Sequence, residues 1–427
     1  MVKGKHSTWE YKALNELGFI GRGKSRHRPR NDPSLYGGNY PFIQTGDVKA
    51  NDFYINQYEQ TYNEKGLAQS KLWPKGTLCI TIAANIAETA VLGIDACFPD
   101  SIVGFIADKS KADIRFVKYY IDTIKLNMQL ISKGTTQDNL SLNKLLTFKI
   151  LTPPLPTQRK IAAILSAYDD LIENNTRRIK ILEEMAQLIY REWFVKFRFP
   201  GHEKVRMVDS ELGLIPEGWE VKRLGDILFT IESGSRPKGG IRHKDKDVPS
   251  IGAENILGLG QYDYSKDKFV SREFFNNMKR GIIKSEDVLL YKDGAKLGRK
   301  SMFRDGFPHR ECCINEHVFI LRTNGECSQS YLFFWLDQRE ITQKIINLNT
   351  NAAQPGINQE GVKSLPILIP ERYIHNLFNE ICEPILAQLF NLAKKNLILR
   401  RTRDLLLPKL ISGELDVEDL DIAEGGD

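Results

Sequence analysis

Residues 157–193 read TQRKIAAILSAYDDLIENNTRRIKILEEMAQLIYREW, and this stretch decides the architecture. Its apolar side chains fall at Ile161, Leu165, Tyr168, Ile172, Ile179, Leu182, Ala186, Ile189 and Trp193. With Asn175 included, the steps alternate four and three throughout. That is a heptad seam, and it predicts one uninterrupted helix with Thr157 as its cap. About 40 residues at 1.5 Å each make a rod of roughly 60 Å. A rod with one apolar seam needs a partner to bury it.

The partner is further along the chain. Phe378, Ile381, Ile385, Leu389, Leu392, Asn396, Leu399, Leu406 and Leu410 form a second, less regular seam. Pro384 interrupts it and is expected to start or kink that helix, because proline lacks an N–H and crowds the preceding turn. If the two helices pack antiparallel, midpoints near residues 177 and 394 set Asn175 opposite Asn396. The two amides then either pair and fix the register, or sit at the seam edge and meet water.

Working outward, the chain nearly repeats itself every 210 to 217 residues. Trp9-Glu10-Tyr11-Lys12-Ala13-Leu14 returns as Trp219-Glu220-Val221-Lys222-Arg223-Leu224, and Pro41-Phe42-Ile43 as Pro249-Ser250-Ile251. The stretch from Gly134 to Ser141 aligns with that from Asn351 to Asn358, and each copy then reaches a proline, Pro153 or Pro370, before its long helix. Two such large copies are too few for a solenoid and read as a duplication with pseudo-two-fold symmetry. The expected order is a mixed domain over 1–152, a long helix over 153–198, a linker over 199–211, a second mixed domain over 212–369, a second long helix over 370–415 and an acidic tail over 416–427. Strand patterns lie at 77–83, 102–107 and 148–151, then at 287–291, 317–322 and 365–369, with helical patterns at 114–130 and 329–346. No strand–helix alternation supports a doubly wound sheet, so the fold class is α+β: two mixed domains separated by two long antiparallel coiled-coil helices.

Composition excludes several classes. With 427 residues, 41% apolar, 27% charged and 10% aromatic, the chain is long enough for two or three cores and is no disordered polymer. No apolar run approaches a membrane span and the first residues are polar and basic, so the expected location is the cytoplasm. Six cysteines without a Cys-x-x-Cys pair argue against a disulfide framework or a zinc finger. The net charge of +6 hides an asymmetry. Residues 412–427 carry seven acids and no Lys or Arg, so 60 basic residues face 47 acidic ones elsewhere, a body of +13. Such a body suits a polyanion.

Each mixed domain carries a basic loop near its start. The first holds Arg22, Lys24, Arg26, Arg28 and Arg30 around Gly21 and Gly23, and the second Arg236, Lys238, Arg242 and Lys244 around Gly239 and Gly240. One such loop alone reads as solvated surface; one in each copy at a matching position points to phosphate tracking or guanine readout. Lys292, Lys296, Arg299 and Lys300 form a further basic cluster, while Gln137 and Gln354 either pair with adenine or close a turn.

Several motifs tempt and fail. Gly18-Phe19-Ile20-Gly21-Arg22-Gly23-Lys24-Ser25 matches the phosphate-loop pattern, but two prolines follow within residues 26–33, where that loop must open a helix. His309, Cys312, Cys313 and His317 resemble metal ligands, but adjacent cysteines on a strand face opposite ways. Asp47-Val48-Lys49 and Glu220-Val221-Lys222 are acid-x-Lys triplets without the Pro-Asp partner of nucleases. No motif for methyl transfer or acyl chemistry is present, so the chain reads as a binder without catalytic machinery.

The assembled phrases resemble those of the DNA specificity subunits of Type I restriction-modification systems, over nearly the whole chain. The resemblance rests on Gly37-Gly38-Asn39-Tyr40-Pro41-Phe42, the run Thr135 to Ser141, the run Pro153 to Ala162, and Ile189-Tyr190-Arg191-Glu192-Trp193-Phe194. Leu212 to Trp219 and Leu406 to Leu415 complete it. The second copy departs at Ala352 to Asn358, which keeps only the Gln and an apolar residue. The resemblance implies two target-recognition domains, each reading half of an asymmetric split site in double-stranded DNA, and helices that act as a ruler and dock two modification subunits. It implies no cofactor in this chain. S-adenosylmethionine for adenine methylation belongs to the modification subunits, and ATP and Mg to a restriction subunit that cuts DNA. The alternatives are a self-contained DNA-modifying enzyme and a duplicated binding protein outside restriction-modification.

Overall fold

The computed structural model describes residues 9–51, 53–133, 140–237, 247–349 and 356–422. By packing, the chain divides into two compact units: Met1–Ile172 with Leu399–Asp427, and Glu173–Ile398. The two long helices, Leu155–Tyr190 and Arg372–Ile411, each contribute residues to both units.

The first unit holds a five-stranded sheet in the order Gly18–Arg22, Ile102–Ala107, Leu78–Thr81, Thr89–Leu92 and Tyr54–Ile55. The helix Ile114–Lys133 lays Phe116, Val117 and Ile121 against it, because these positions share one face at helical spacing. A smaller sheet orders Gln60–Tyr62, Tyr36–Phe42, Ala96–Cys97 and Leu72–Trp73. Ile161 and Leu165 of the first long helix and Leu410 and Ile411 of the second complete the large core. Each is essentially buried, so truncating Leu165 to alanine costs about 2–5 kcal/mol.

The second unit repeats the plan. Its four-stranded sheet orders Leu228–Ser233, Val318–Thr323, Val288–Tyr291 and Lys300–Met302, and a three-stranded sheet orders Phe269–Val270, Val248–Ile251 and Cys313–Ile314. In both units the strand after the opening tryptophan pairs with the last strand before a long helix: Glu10–Lys12 with Ile150–Thr152, and Glu220–Arg223 with Pro366–Ile369. Along the strand that leads to each basic loop the copies differ by one residue. The pairing of Leu228–Ser233 shifts register between Leu228 and Thr230, and the extra residue, Phe229, is 78% exposed.

The joint between domain and helix is also built twice. Buried Gln158, in the first turn of the first long helix, accepts from Asp113 N–H at 3.1 Å, just ahead of the helix Ile114–Lys133. In the second unit His375 takes that place, with Nε2 accepting from Ser328 N–H at 3.0 Å, just ahead of the helix Gln329–Asp337.

The seam of the first long helix buries Ile161, Leu165, Ile172, Asn175, Ile179 and Ala186, with Leu182 and Ile189 half-buried. Within the second unit the helices run antiparallel. Asn175 Nδ2 donates to Asn396 Oδ1 at 2.9 Å near one end of the pair, and Tyr190 stacks edge-on against Phe378 at 5.9 Å near the other. Within the first unit Arg403 likewise bonds Asp169, and Leu410 joins the cluster of Ile161.

The structure corrects four local expectations. The first helix begins at Leu155, so Thr157 lies inside its first turn rather than capping it; Pro156 fits there because a first-turn residue needs no N–H partner. Its last turn, Arg191–Val195, widens to a π-helix, which sends Phe194 into the core against Tyr331 at 4.9 Å and leaves Trp193 half-buried. The second helix starts at Arg372 and runs through Pro384; Ile381 is 43% exposed and Cys382 and Leu386 are buried in its place, while Phe378, Leu389 and Leu392 are buried as the seam requires. Leu399 and Leu406 are half-buried, as is Ile385. The pattern at 329–346 is two helices, Gln329–Asp337 and Arg339–Asn347, broken at the extended residue Gln338.

Candidate nucleic-acid interface

The first basic loop leaves the edge of the sheet after Arg22. Gly23 is required there: its N–H donates to Ile102 O at 2.8 Å, and a Cβ would lie 2.2 Å from Pro99 O. Lys24 N–H then donates to Phe98 O at 2.9 Å, so the chain is pressed onto the turn 98–100. Gln69 Oε1 accepts from the N–H groups of Arg26 and His27 at 2.6 and 3.0 Å, and Arg28 Nη1 donates to Ser25 O at 2.8 Å. These bonds hold the backbone and leave charge outside. Arg22, Arg26, Arg28 and Arg30 are exposed and Lys24 is half-buried.

Their heads differ in what they meet. Arg22 donates through Nε and Nη2 to Asp100 O at 3.1 and 2.8 Å, and Arg30 pairs with the Asp100 carboxylate at 2.5 Å. The side chains of Lys24 and Arg26 have no protein partner among the described residues. Beside the loop Lys71 Nζ lies 4.7 Å from the Phe19 ring and 3.7 Å from that of buried Trp73, and Phe19 is 54% exposed. An aromatic face and a cation at the root of a basic loop are what a base and a phosphate meet on a nucleic-acid surface.

The second basic loop leaves its sheet the same way, with Gly234 N–H donating to Asn315 O at 3.2 Å and no room for a Cβ beside Ile314 O. Arg236 pairs with Glu316 at 2.8 Å. From there a chain of charges continues through His317, 3.3 Å from Glu316 and 3.0 Å from Asp293, to Lys292, 3.4 Å from Asp293. Gly356 bridges to Asp293, and Ile357 N–H donates to Lys292 O at 3.0 Å. Arg236 and Lys292, distant in sequence, are thereby joined in one network. Lys238, Arg242, Lys244, Gln137 and Gln354 lie outside the described residues.

The remaining basic cluster divides. Lys296 is exposed on the turn between Gly294 and Gly298, Arg299 is half-buried, and neither side chain has a protein partner among the described residues. Lys300 does not belong with them. Its ammonium is largely buried and donates to Leu336 O at 3.2 Å and Thr342 Oγ1 at 2.7 Å, and pairs with Asp337 at 3.2 Å. It closes the C-terminus of the helix Gln329–Asp337, where carbonyls lack partners, so it is a structural cation rather than a nucleic-acid contact. Burial pulls its pKa down, against the pull of Asp337. Across a cleft of about 420 Å³ stands Glu183, which burial and neighbouring Asp337 push up to about 7.

The other motifs have local roles. Residues 18–22 of the phosphate-loop match are a strand, and no helix opens from it. Cys312 and Cys313 point into different apolar clusters, and His309 and His317 face Asp267 and Asp293. Asp47 accepts from Gln44 N–H at 2.7 Å in a helix turn, and Lys222 pairs with Glu326 at 2.5 Å.

The sequence reading missed Asp100, Glu316, Asp293 and Lys71. They carry no local signal, because sheet pairing alone brings them to the loops. It also missed an exposed stripe. Ile181, Met185 and Leu188 of the first long helix are 55%, 46% and 55% exposed at steps of four and three, beside the buried seam. Ile398 and Leu405 of the second helix, 63% and 69% exposed, stand at the repeat positions of Ile181 and Leu188.

Among known proteins the chain is 27% identical over 417 residues to the MjaIX specificity subunit of a Type I restriction enzyme from Methanocaldococcus jannaschii, covering 96% of this chain and 94% of the relative. It is 22% identical over 465 residues to the HindI specificity subunit from Haemophilus influenzae, covering 93% of this chain and 98% of that one. Its fold is similar to the crystal structure of a Type I restriction-modification S subunit from M. genitalium, with a TM-score of 0.58 and 15% identity over 96% of this chain and 98% of the other. The family model for the Type I restriction modification DNA specificity domain matches residues 6–184 and again 216–398. The chain, with a basic loop at the edge of each repeated sheet, belongs to the Type I restriction-modification DNA specificity family and carries its domain twice.

Proposed function

We propose that this chain is the specificity subunit of a Type I restriction-modification complex, each recognition domain reading one half of a split, asymmetric DNA site. The observation that carries the reading is the repeated loop root. In each copy a glycine folds a basic segment against the carbonyls of the opposing turn, and the two loops differ in sequence while sharing that frame. Different side chains on one frame read different half-sites, with phosphate contacts setting position and base contacts setting sequence. The two long helices fix the number of base pairs between half-sites.

The exposed stripe of Ile181, Met185 and Leu188, with Ile398 and Leu405 on the other helix, serves two modification subunits as docking faces. Those subunits use S-adenosylmethionine to methylate adenine, which must leave the stack to be reached. A restriction subunit that needs ATP and Mg joins for cleavage. This chain contributes recognition, not chemistry, and works in the cytoplasm. Gel shifts of the chain with and without modification subunits test the reading. The expected result is salt-sensitive binding of DNA by the assembly and sequence-selective methylation in its presence. Methyl transfer by the purified chain alone would favour the self-contained enzyme, and no DNA binding by any assembly would refute the proposal.

A further inference from the structure

Asp100 and Glu316 occupy one position in the two copies. Each lies three residues after a cysteine whose strand pairs in parallel with the opening strand of the smaller sheet, Cys97 with Phe42 and Cys313 with Ser250. Each also lies two residues before the strand, Ile102–Ala107 or Val318–Thr323, that pairs with the one leading into the basic loop. In each copy an arginine of the loop is drawn onto this acid, Arg30 onto Asp100 at 2.5 Å and Arg236 onto Glu316 at 2.8 Å. The arginines are not themselves equivalents. Arg236 is two residues beyond Gly234, whereas Arg30 is seven beyond Gly23. The contact has therefore been made with a different residue in each domain, which inheritance from one ancestral pair does not explain.

An acid at the centre of a surface built for a polyanion works against binding by like-charge repulsion. Its side chain is partly open to water, 39% exposed in each copy, against 48% for Arg30 and 41% for Arg236, although Glu316 Oε2 is buried and Oε1 also meets His317. An exposed pair of this kind is worth only about 0–1 kcal/mol, so it contributes little to the fold. A DNA phosphodiester offers arginine a similar two-pronged acceptor, two non-bridging oxygens that share one negative charge. The pair is thus weak enough to exchange and placed where a phosphate arrives.

Resting on the proposed DNA reading, we infer that Asp100 and Glu316 are built-in phosphate stand-ins. In the free protein each carboxylate holds the arginine that a DNA phosphate takes in the bound state, and this holds down binding to non-target DNA. Loose encounters leave the arginine on its carboxylate and meet one fewer cation and one more anion per domain. A target that seats closely against the loop displaces the carboxylate.

The test uses the full chain assembled with its modification subunits and a labelled duplex of random sequence, titrated across salt concentrations. Asp100→Asn and Glu316→Gln should each tighten binding several-fold and steepen the logarithmic salt dependence by about 0.9, the share of one freed phosphate contact. On this duplex Arg30→Gln and Arg236→Gln should leave the salt dependence nearly unchanged, because a loose encounter leaves the arginine on its carboxylate. Arg30→Gln added to Asp100→Asn should abolish the gain. The two copies are independent trials should one variant fail to fold. If the wild-type assembly binds DNA and neither acid variant binds more tightly or with a steeper salt dependence, the exchange is overturned while the DNA reading stands. If the wild-type assembly binds no DNA, both fall.

Discussion

Asn175 and Asn396 face each other across the two long helices, with the amide of Asn175 donating to the carbonyl oxygen of Asn396 at 2.9 Å and both side chains buried. Asn396 Nδ2 goes on to donate to Thr176 Oγ1 at 3.1 Å. An apolar seam can slide by a heptad at little cost, but a slide here would bury two amides against hydrocarbon. Asn175→Leu alone removes the donor to the buried Asn396 Oδ1 and should cost about 1–3 kcal/mol in chemical denaturation. Replacing both by leucine should recover that loss, and engineered cysteine pairs along the helices should then cross-link in more than one register.

The helices should act as a ruler. A matched removal of one heptad from each shortens the rise by about 10 Å, equivalent to about three base pairs. Methylation mapping of DNA from cells carrying the complete system should show unchanged half-sites and a shorter spacer. An unchanged spacer would count against the ruler.

Cations that look alike in sequence should behave differently. Arg26→Ala and Lys296→Ala remove exposed side chains without protein partners among the described residues, so each should lower DNA affinity and reduce the salt slope by about one with stability unchanged. Lys300→Ala leaves Asp337 without its cation and a helix end without its donor. It should cost about 1–3 kcal/mol of stability in thermal melts and leave the salt slope of binding unchanged.

The exposed stripe should be needed for assembly rather than for folding. Met185→Glu places a charge among Ile181 and Leu188 on a face already in solvent. The free chain should melt as the wild type does, and co-purification with modification subunits should be lost. Met185→Leu should retain it.

The helix joints should differ in acid. Burial holds the His375 imidazole neutral and pushes its pKa down to about 4, while Nε2 accepts from Ser328 N–H. The unfolded chain takes up this proton below about 6.5 and the folded one only near 4, so stability present above pH 6.5 is lost as pH falls between those values. The loss from this one group amounts to at most about 3 kcal/mol. His375→Gln, which copies Gln158 of the first unit, should melt at nearly the same temperature at pH 7.5 and resist pH 5 better than the wild type.

Much of this architecture was written in the sequence, because it depends on periodicity. The four–three spacing from Ile161 to Ile189 dictates a long helix with one buried face, the repeat from Trp9 to Trp219 dictates two copies of one domain, and strands such as 102–107 follow from short apolar runs. The phrases shared with the specificity family gave the function for the same reason, since they are local strings. Where the sequence misled, a local rule met a tertiary demand. Lys300 reads as one more basic residue until a helix terminus claims it, and Ile381 reads as seam until the packing of Cys382 and Leu386 turns it outward.

The partnership of charges was decided by the tertiary structure alone. Nothing near Arg30 or Arg236 in sequence names Asp100 or Glu316, 70 and 80 residues away, because sheet register places them. The helix pair stands between these cases. Heptad counting set Asn175 opposite Asn396 but left pairing or exposure to water equally open. The choice fell to packing, since a buried amide must find hydrogen-bond partners and burial leaves protein groups, the facing amide among them, to supply them.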